Sequence, residues 1–326
     1  MNFLVVGLGS MGKRRIRLLQ NNLKSINIFG VDTNVERATV VKNDFGIELF
    51  KSINAAAAAI DFNAALICTS PITHESIILE CLSYDMNVFT EINLINSYYN
   101  KVIQEAASKD LKLYLSSTFL KRKEIQFIRD KCFNEDITYR YHAGQYLPDW
   151  HPWESYKDYF VSNKVTNACR EILAIELPWL ISCFGEVEDT KIFKTKISSL
   201  EIDYEDTYQI LLKHRSGIIG NLTINVVSRV PKRDFEVIGE QCQLSWDGTP
   251  NGLYVFEHES RSMTQVELYA SHEHLDSYTK SIVEDAYLEE LKEFVRYLTE
   301  DEFAPEYSFA QDYKVIEVIN HIENQL

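Results

Sequence analysis

With 326 residues, 45% apolar and 25% charged, the chain is long enough for two domains with separate cores, and its composition excludes extended disorder. A net charge of −15 excludes nucleic acid and anionic membrane surfaces as partners held by bulk electrostatics. The six cysteines form no CxxC pair and read as free thiols in a reducing cytoplasm, and no apolar run reaches the ~18 residues of a membrane span.

The opening MNFLVVGLGSMG carries no basic residue ahead of its apolar run, and glycines break that run, so it reads as structure rather than as a secretory signal. Its residues Asn2–Val6 predict a buried strand that stops at Gly7-Leu8-Gly9-Ser10-Met11-Gly12. KRRIRLLQNN follows at once, with Ile16, Leu18 and Leu19 on one helical face. INIFGV is a second strand ending at Asp32, and VERATVVKNDFG a helix closed by Gly46. IELF, AALIC, NVFTEI and LKLYLSS continue the strands. INAAAAAI, HESIILECLSYD and YYNKVIQEAASKD supply the helices between them. Strands alternating with helices in this way predict parallel βαβ units and a doubly wound sheet.

A lone GxGxxG is a weak signal. Here it follows a strand, opens a helix, and is followed by an acid, Asp32, 20 positions past Gly12. That context is specific for a dinucleotide site. Gly7 permits the tight turn, Gly9 lets backbone N–H groups approach a pyrophosphate, and Gly12 lets helix pack on strand. Ser10 and Met11 begin the helix whose N-terminus meets that anion. Asp32 would take hydrogen bonds from the adenosine ribose, which favours NAD over NADP, and Arg37 softens the preference.

Past residue 120 the pattern lengthens to alternating strands: YQILLKH, IIGNLTINVVS, FEVIGE, QLSW, LYVFEH and QVELYA. They predict an open, mostly antiparallel sheet covered on one face by helices, including one ending at Phe184. The expected fold is α/β, a Rossmann domain over 1–119 and an α+β domain over 120–326. The closing helices, SIVEDAYLEELKEFVRYL and KVIEVINHI, are expected to pack back on the first domain.

The stretch ALICTSPITHESIILECLSYDMNVFTEINL (65–94) resembles the Gfo/Idh/MocA oxidoreductases, the glucose-fructose oxidoreductase and inositol dehydrogenase group. Their pattern is a strand, a Thr/Ser-Pro turn, a His, a helix, and then V-x-x-E-K-P. Thr69, Ser70, Pro71, His74, Val88 and Glu91 stand in matching places. Residues 206–247, with their S-G-x-x-G and V-x-G-E signatures, and the closing DYKVIEVINHIENQL carry the resemblance over the whole chain. It implies an NAD enzyme whose cofactor cleft is lined by Thr69, Ser70, Pro71, His74 and Glu91. The alternative for His74 is a polar residue at a helix start that meets no ligand. The resemblance also implies a homodimer or homotetramer formed through the outer face of the second sheet.

Two family positions are altered. The lysine after Glu91 is Ile92 and the proline is Asn93, so no proton donor stands there. Counting back from Gly185, the family's D-x-x-x-H-x-x-D helix places Glu171, Ile175 and Pro178 on its polar positions, and only Glu171 keeps an acid.

The irregular stretch GQYLPDWHPWESYKDYFVS (144–162) suits a carbohydrate, with ring faces for sugar C–H surfaces and polar groups for hydroxyls. Tyr146, Asp149, Trp150 and Trp153, with Arg170, are the candidate substrate residues. His151, Glu171 and Tyr156 are the candidate acid/base groups, His151 leading because imidazole titrates near working pH. Alternatively the segment packs its tryptophans under a sheet and leaves His151 on the surface. Of the basic runs, Lys121–Lys123 reaches a cleft or is solvated. Arg229, Lys232 and Arg233 bind a phosphate or, the favoured reading, form an exposed turn. His272-Glu273-His274 reads as a surface loop, so no metal is expected.

The leading expectation is an NAD-dependent oxidoreductase acting on a phosphorylated or nucleotide-linked sugar, in surface glycan biosynthesis. The alternatives are a silent NAD- and sugar-binding regulator, or a non-redox enzyme that cycles a tightly bound NAD.

Overall fold

The computed structural model describes residues 1–151, 154–269 and 282–325. The chain divides into two compact units, Met1–Thr118 with Tyr287–Lys314, and Phe119–Ala286 with Val315–Leu326.

The first unit runs β1 (Asn2–Val6), α1 (Ser10–Asn22), β2 (Asn27–Val31), α2 (Val35–Phe45), β3 (Glu48–Phe50), α3 (Ile53–Ala59), β4 (Ala64–Ile67), α4 (His74–Ser83), β5 (Asn87–Thr90), α5 (Tyr99–Ser108) and β6 (Leu113–Leu115). Its six strands are all parallel, in the order β3-β2-β1-β4-β5-β6. The order reverses between β1 and β4, so the crevice beyond their carboxyl ends is the place for a ligand. Continuous burial along β1 and β4 is what a sheet covered on both faces requires. Leu291 and Phe294 complete this core against Phe3, Phe89 and Tyr114.

The second unit adds α6 (Lys123–Lys131), β7 (Ile137–Gly144), α7 (Ala168–Phe184), β8 (Val187–Thr195), β9 (Thr207–His214), β10 (Ile219–Asn225), β11 (Lys232–Gly239), β12 (Leu244–Trp246), β13 (Leu253–Glu257) and β14 (Ser262–Gln265). The last helices are α8 (Glu284–Thr299) and α9 (Phe309–Asn324), each divided between the units. The eight strands lie in the order β14-β13-β12-β11-β7-β10-β9-β8, antiparallel except where β10 meets β7. Two of them, β7 and β8, are missing from the strands expected above; in β8 Glu188, Asp189, Lys191 and Lys194 interrupt the apolar alternation. The expected strand QVELYA is also displaced, since β14 ends at Gln265.

Alternation sends Tyr139, Tyr141, Ile210, Leu222 and Phe235 to the face covered by α7. There Tyr139 stacks on Phe184 at 4.6 Å and Trp179 meets Phe235 edge-on at 5.1 Å. The opposite face presents Phe193, Leu211, Ile219 and Ile238 among polar side chains. All six cysteines are free thiols, and among the described residues no helix is long and apolar enough to cross a membrane.

Candidate functional site

The turn after β1 separates glycines the chain itself needs from one it does not. At Gly7 (φ +90°) a Cβ would lie 2.7 Å from Thr69 Cγ2, and at Gly12 it would lie 2.0 Å from the Gly7 carbonyl oxygen. Around Gly9 nothing lies within 4 Å, so its bare backbone is open to an approaching group. Helix α1 starts there with no side-chain cap and no acid in its first turn. Its leading N–H groups and the positive end of its dipole therefore suit a pyrophosphate.

Beyond β2, Asp32 accepts the Leu8 and Asn34 N–H groups, each at 2.7 Å, and Arg37 at 3.3 Å. A carboxylate offers about four acceptor sites, so a ribose hydroxyl can still bind. These residues fit a dinucleotide. A 2′-phosphate would meet repulsion from Asp32 and attraction from Arg37 together.

At the end of β5 the residues around the missing lysine are held from within. Glu91 is buried and takes Arg15 Nε at 2.7 Å and Nη2 at 3.2 Å. Arg15, fully buried, also donates to Glu290 at 2.7 Å. Glu290 in turn accepts the Ser117 N–H at 2.7 Å and the Thr118 hydroxyl at 3.0 Å. Burial raises the Glu290 pKa, Arg15 opposes that rise, and Glu91 adds to it. Glu91 thus ties α1 to β5, and its carboxylate is occupied by Arg15.

His74 has no exposed surface, and its ring nitrogens face the Asn93 side chain and, at 3.1 Å, the Thr69 carbonyl. Burial lowers its pKa. In this geometry His74 braces the Thr69-Ser70-Pro71 turn through the Thr69 carbonyl. Tyr98 donates to Asn93 at 2.9 Å, so the asparagine in the family's proline position is a structural bridge.

In the second unit a cavity of ≈ 410 Å³ gathers residues from four places in the chain. Gln145 and Trp150 come from the loop after β7, Glu171 and Ile175 from the first turns of α7, and Lys232 and Arg233 from the start of β11. Asp247 and Thr249, after β12, complete it. Residues 171 and 175 share a helical face, so Glu171 and Ile175 line one wall.

Glu171 Oε2 is buried with no hydrogen-bond partner among the described residues. Burial pushes its pKa up to about 7. Arg233 is held at the cavity wall by Glu176, 3.0 Å away, whose buried carboxylate also takes Tyr141 and Trp179 at 2.7 Å each. Arg229 and Lys232 are exposed, as expected, but Lys232 and half-buried Arg233 stand in β11 rather than in a turn, and both line the cavity. Together these side chains present an acid/base group near neutrality, cations and an aromatic ring.

The other candidates lie outside this lining. His151 pairs with Glu154 at 2.8 Å and packs at a tilt against the Tyr159 ring, centroids 4.6 Å apart. Tyr156 accepts the Glu201 N–H at 3.2 Å, Asp149 is exposed, and Tyr146 lies 3.5 Å beneath the Arg229 guanidinium. Arg170 is buried and joined to Glu323 and to Asn320 (2.7 Å) in α9, outside the cavity lining. One residue along a helix is a turn of about 100°, enough to send neighbours 170 and 171 to different surroundings. Arg122 is neither solvated nor in the cavity: it is buried against Glu124 at 2.6 Å. Trp153 and His272-Glu273-His274 lie outside the described residues. No metal-binding cluster occurs among the described residues. Arg15 and Tyr159 went unnoticed in the sequence, because no spacing distinguishes a buried arginine or one tyrosine within an aromatic run.

The model of the Gfo/Idh/MocA oxidoreductase family, with its NAD-binding Rossmann fold, matches residues 1–114. No curated protein matches the sequence. Among solved structures, an oxidoreductase from Agrobacterium radiobacter in complex with NAD+, L-tartaric acid and magnesium is 16% identical. The match covers 98% of this chain and 94% of that one, with a TM-score of 0.80. The UDP-N-acetylglucosamine 3-dehydrogenase GnnA from Acidithiobacillus ferrooxidans is 17% identical over 99% and 96% of the two chains, with a TM-score of 0.74. The WlbA dehydrogenase from Chromobacterium violaceum, in complex with NADH and UDP-GlcNAcA, is 14% identical over 99% and 92%, also at 0.74. At these identities the likeness establishes the fold.

Proposed function

Because this chain matches the Gfo/Idh/MocA oxidoreductase family, we propose that it is an NAD-dependent oxidoreductase of a sugar derivative, with Glu171 as its acid/base. The observation that carries this reading is a lone carboxyl on a cavity wall with its pKa raised to about 7. Ile92 and Ile175 cannot move a proton, and Glu171 can.

NAD, when bound, takes or returns the hydride of the reacting carbinol carbon. The N–H groups at Gly9, Ser10, Met11 and Gly12 hold its pyrophosphate, Asp32 holds the adenosine ribose, and Thr69, Ser70 and Pro71 form the wall at the end of β4. Ionised Glu171 accepts the substrate hydroxyl proton during oxidation, and the protonated carboxyl returns it during reduction. Oxidation therefore rises, and reduction falls, as pH climbs through about 7.

Trp150 offers a ring face, and Lys232 with Arg233 offers charge to a phosphate, which supports a phosphorylated or nucleotide-linked sugar. The names of GnnA and of the WlbA complex point to the same class. The outer sheet face, with Phe193, Leu211, Ile219 and Ile238 exposed, supports association of identical copies. The free thiols support a reducing cytoplasm.

The test is turnover. Purified protein with NAD is offered a panel of sugar phosphates and nucleotide sugars while the absorbance of reduced cofactor is followed. Glu171→Gln is expected to lower kcat at least about a hundredfold with little change in KM. Undiminished turnover in that variant would remove Glu171 from the chemistry. Ligand binding with no turnover in the unaltered protein would favour the silent regulator.

A further inference from the structure

Among the described residues of the second unit, the buried side-chain polar atoms without a hydrogen-bond partner are Glu171 Oε2 and Tyr159 Oη. An orphan left unmet is costly, and native interiors hold few of them. These two belong to neighbouring pieces of structure. Tyr159 precedes the short turn Phe160–Ser162, which packs on α7, the helix that carries Glu171. The Tyr159 ring is fixed between His151, at 4.6 Å, and Phe160, met edge-on at 5.8 Å. Burial raises the phenol pKa, and the charge of Glu171 raises it further, so the two groups sense one another.

Resting on the acid/base reading above, we propose that Tyr159 is the positioning residue of Glu171. Its phenol donates to the ionised carboxylate, through one bridging hydroxyl of water or substrate, and so governs when Glu171 releases its proton. The other groups facing this carboxyl do not fill the role. The Tyr204 hydroxyl feels the same charge but already donates to the Val161 carbonyl at 2.8 Å. On the cavity side Arg233 is tied to Glu176, while Lys232 and Asp247 carry opposite charges. Glu154, which also acts on Tyr159, pairs with His151. Tyr159 is the buried donor without a partner among the described residues of this unit, next to the turn packed on the helix that carries Glu171.

The experiment reads Glu171 directly and needs no substrate. In protein labelled with 13C-glutamate, the infrared carbonyl band of the protonated side chain is followed from about pH 4 to pH 9, and its loss in Glu171→Gln assigns it. Removing a donor to the charged form disfavours that form, so Tyr159→Phe is expected to raise the midpoint by about one to two pH units. An unmoved midpoint in a folded Tyr159→Phe protein overturns the proposal while leaving the acid/base reading intact. An ordinary carboxylate midpoint in the unaltered protein sinks the acid/base reading. A rise on Tyr159→Phe would even then preserve the pairing. A second measurement avoids substitution. In ring-labelled protein the Tyr159 C–O band should shift with the same midpoint as Glu171, and a band indifferent to that titration counts against the pairing.

Discussion

At position 171 a carboxylate meets burial with no ion pair to offset it, and the consequence reaches beyond catalysis. The folded-state pKa of about 7 lies above the ordinary value near 4.3, so the native protein binds a proton that the unfolded chain has released. Stability contributed by this group is therefore fully present below about pH 4 and falls as pH rises through 7, by up to about 4 kcal/mol in all. Urea melts across that range should show the slope, and Glu171→Gln should flatten it and leave the protein more stable at pH 8. Parallel slopes in the two proteins would contradict the raised pKa. Counting back from Gly185 was enough to find Glu171 in the sequence. Its proton affinity was not legible there, because the desolvation comes from burial that only the fold creates.

Between elements, the contacts at α1 make two paired predictions. Gly12→Ala places a methyl 2.0 Å from the Gly7 oxygen, so α1 must lift from β1 at a cost of about 3 kcal/mol. Gly9→Ala meets nothing within 4 Å and adopts an ordinary extended backbone, so stability should change by less than about 1 kcal/mol. NAD affinity should nonetheless fall in Gly9→Ala. Thermal melts and NAD titration check both, and an unstable Gly9→Ala with intact affinity would reverse the assignment. The second prediction concerns Arg15, which joins α1 to Glu91 after β5 and to Glu290 in α8. Arg15→Met strands two buried carboxylates and should cost about 3–5 kcal/mol in chemical denaturation. A near-neutral change would show that the cluster is hydrated.

At the scale of the molecule, the first unit is not contiguous in sequence. Leu291 and Phe294, both fully buried, close a core begun by Phe3 and Phe89. Each contributes about 1.5–3 kcal/mol, together a large share of the 5–15 kcal/mol typical of a domain. A fragment ending at Thr118 is therefore expected to show no cooperative urea transition, whereas the full chain does. A sharp transition in the fragment would mean that the six-stranded sheet holds without α8.

The sequence by itself determined the parallel sheet and the dinucleotide turn, because periodicity, glycine and side-chain chemistry act over a few residues. Tertiary structure alone decided which polar groups are free to act. Arg170 and Glu171 are neighbours in sequence, yet one is bound to α9 and the other lines a cavity. Glu91 follows β5 as an available acid in the sequence but is occupied by Arg15, 76 residues away. Arg233 leaves an apparent surface turn for the cavity wall because Glu176 holds it there. Burial and pairing between distant segments fix a charge's partners and its pKa, and neither is written in the local run of residues.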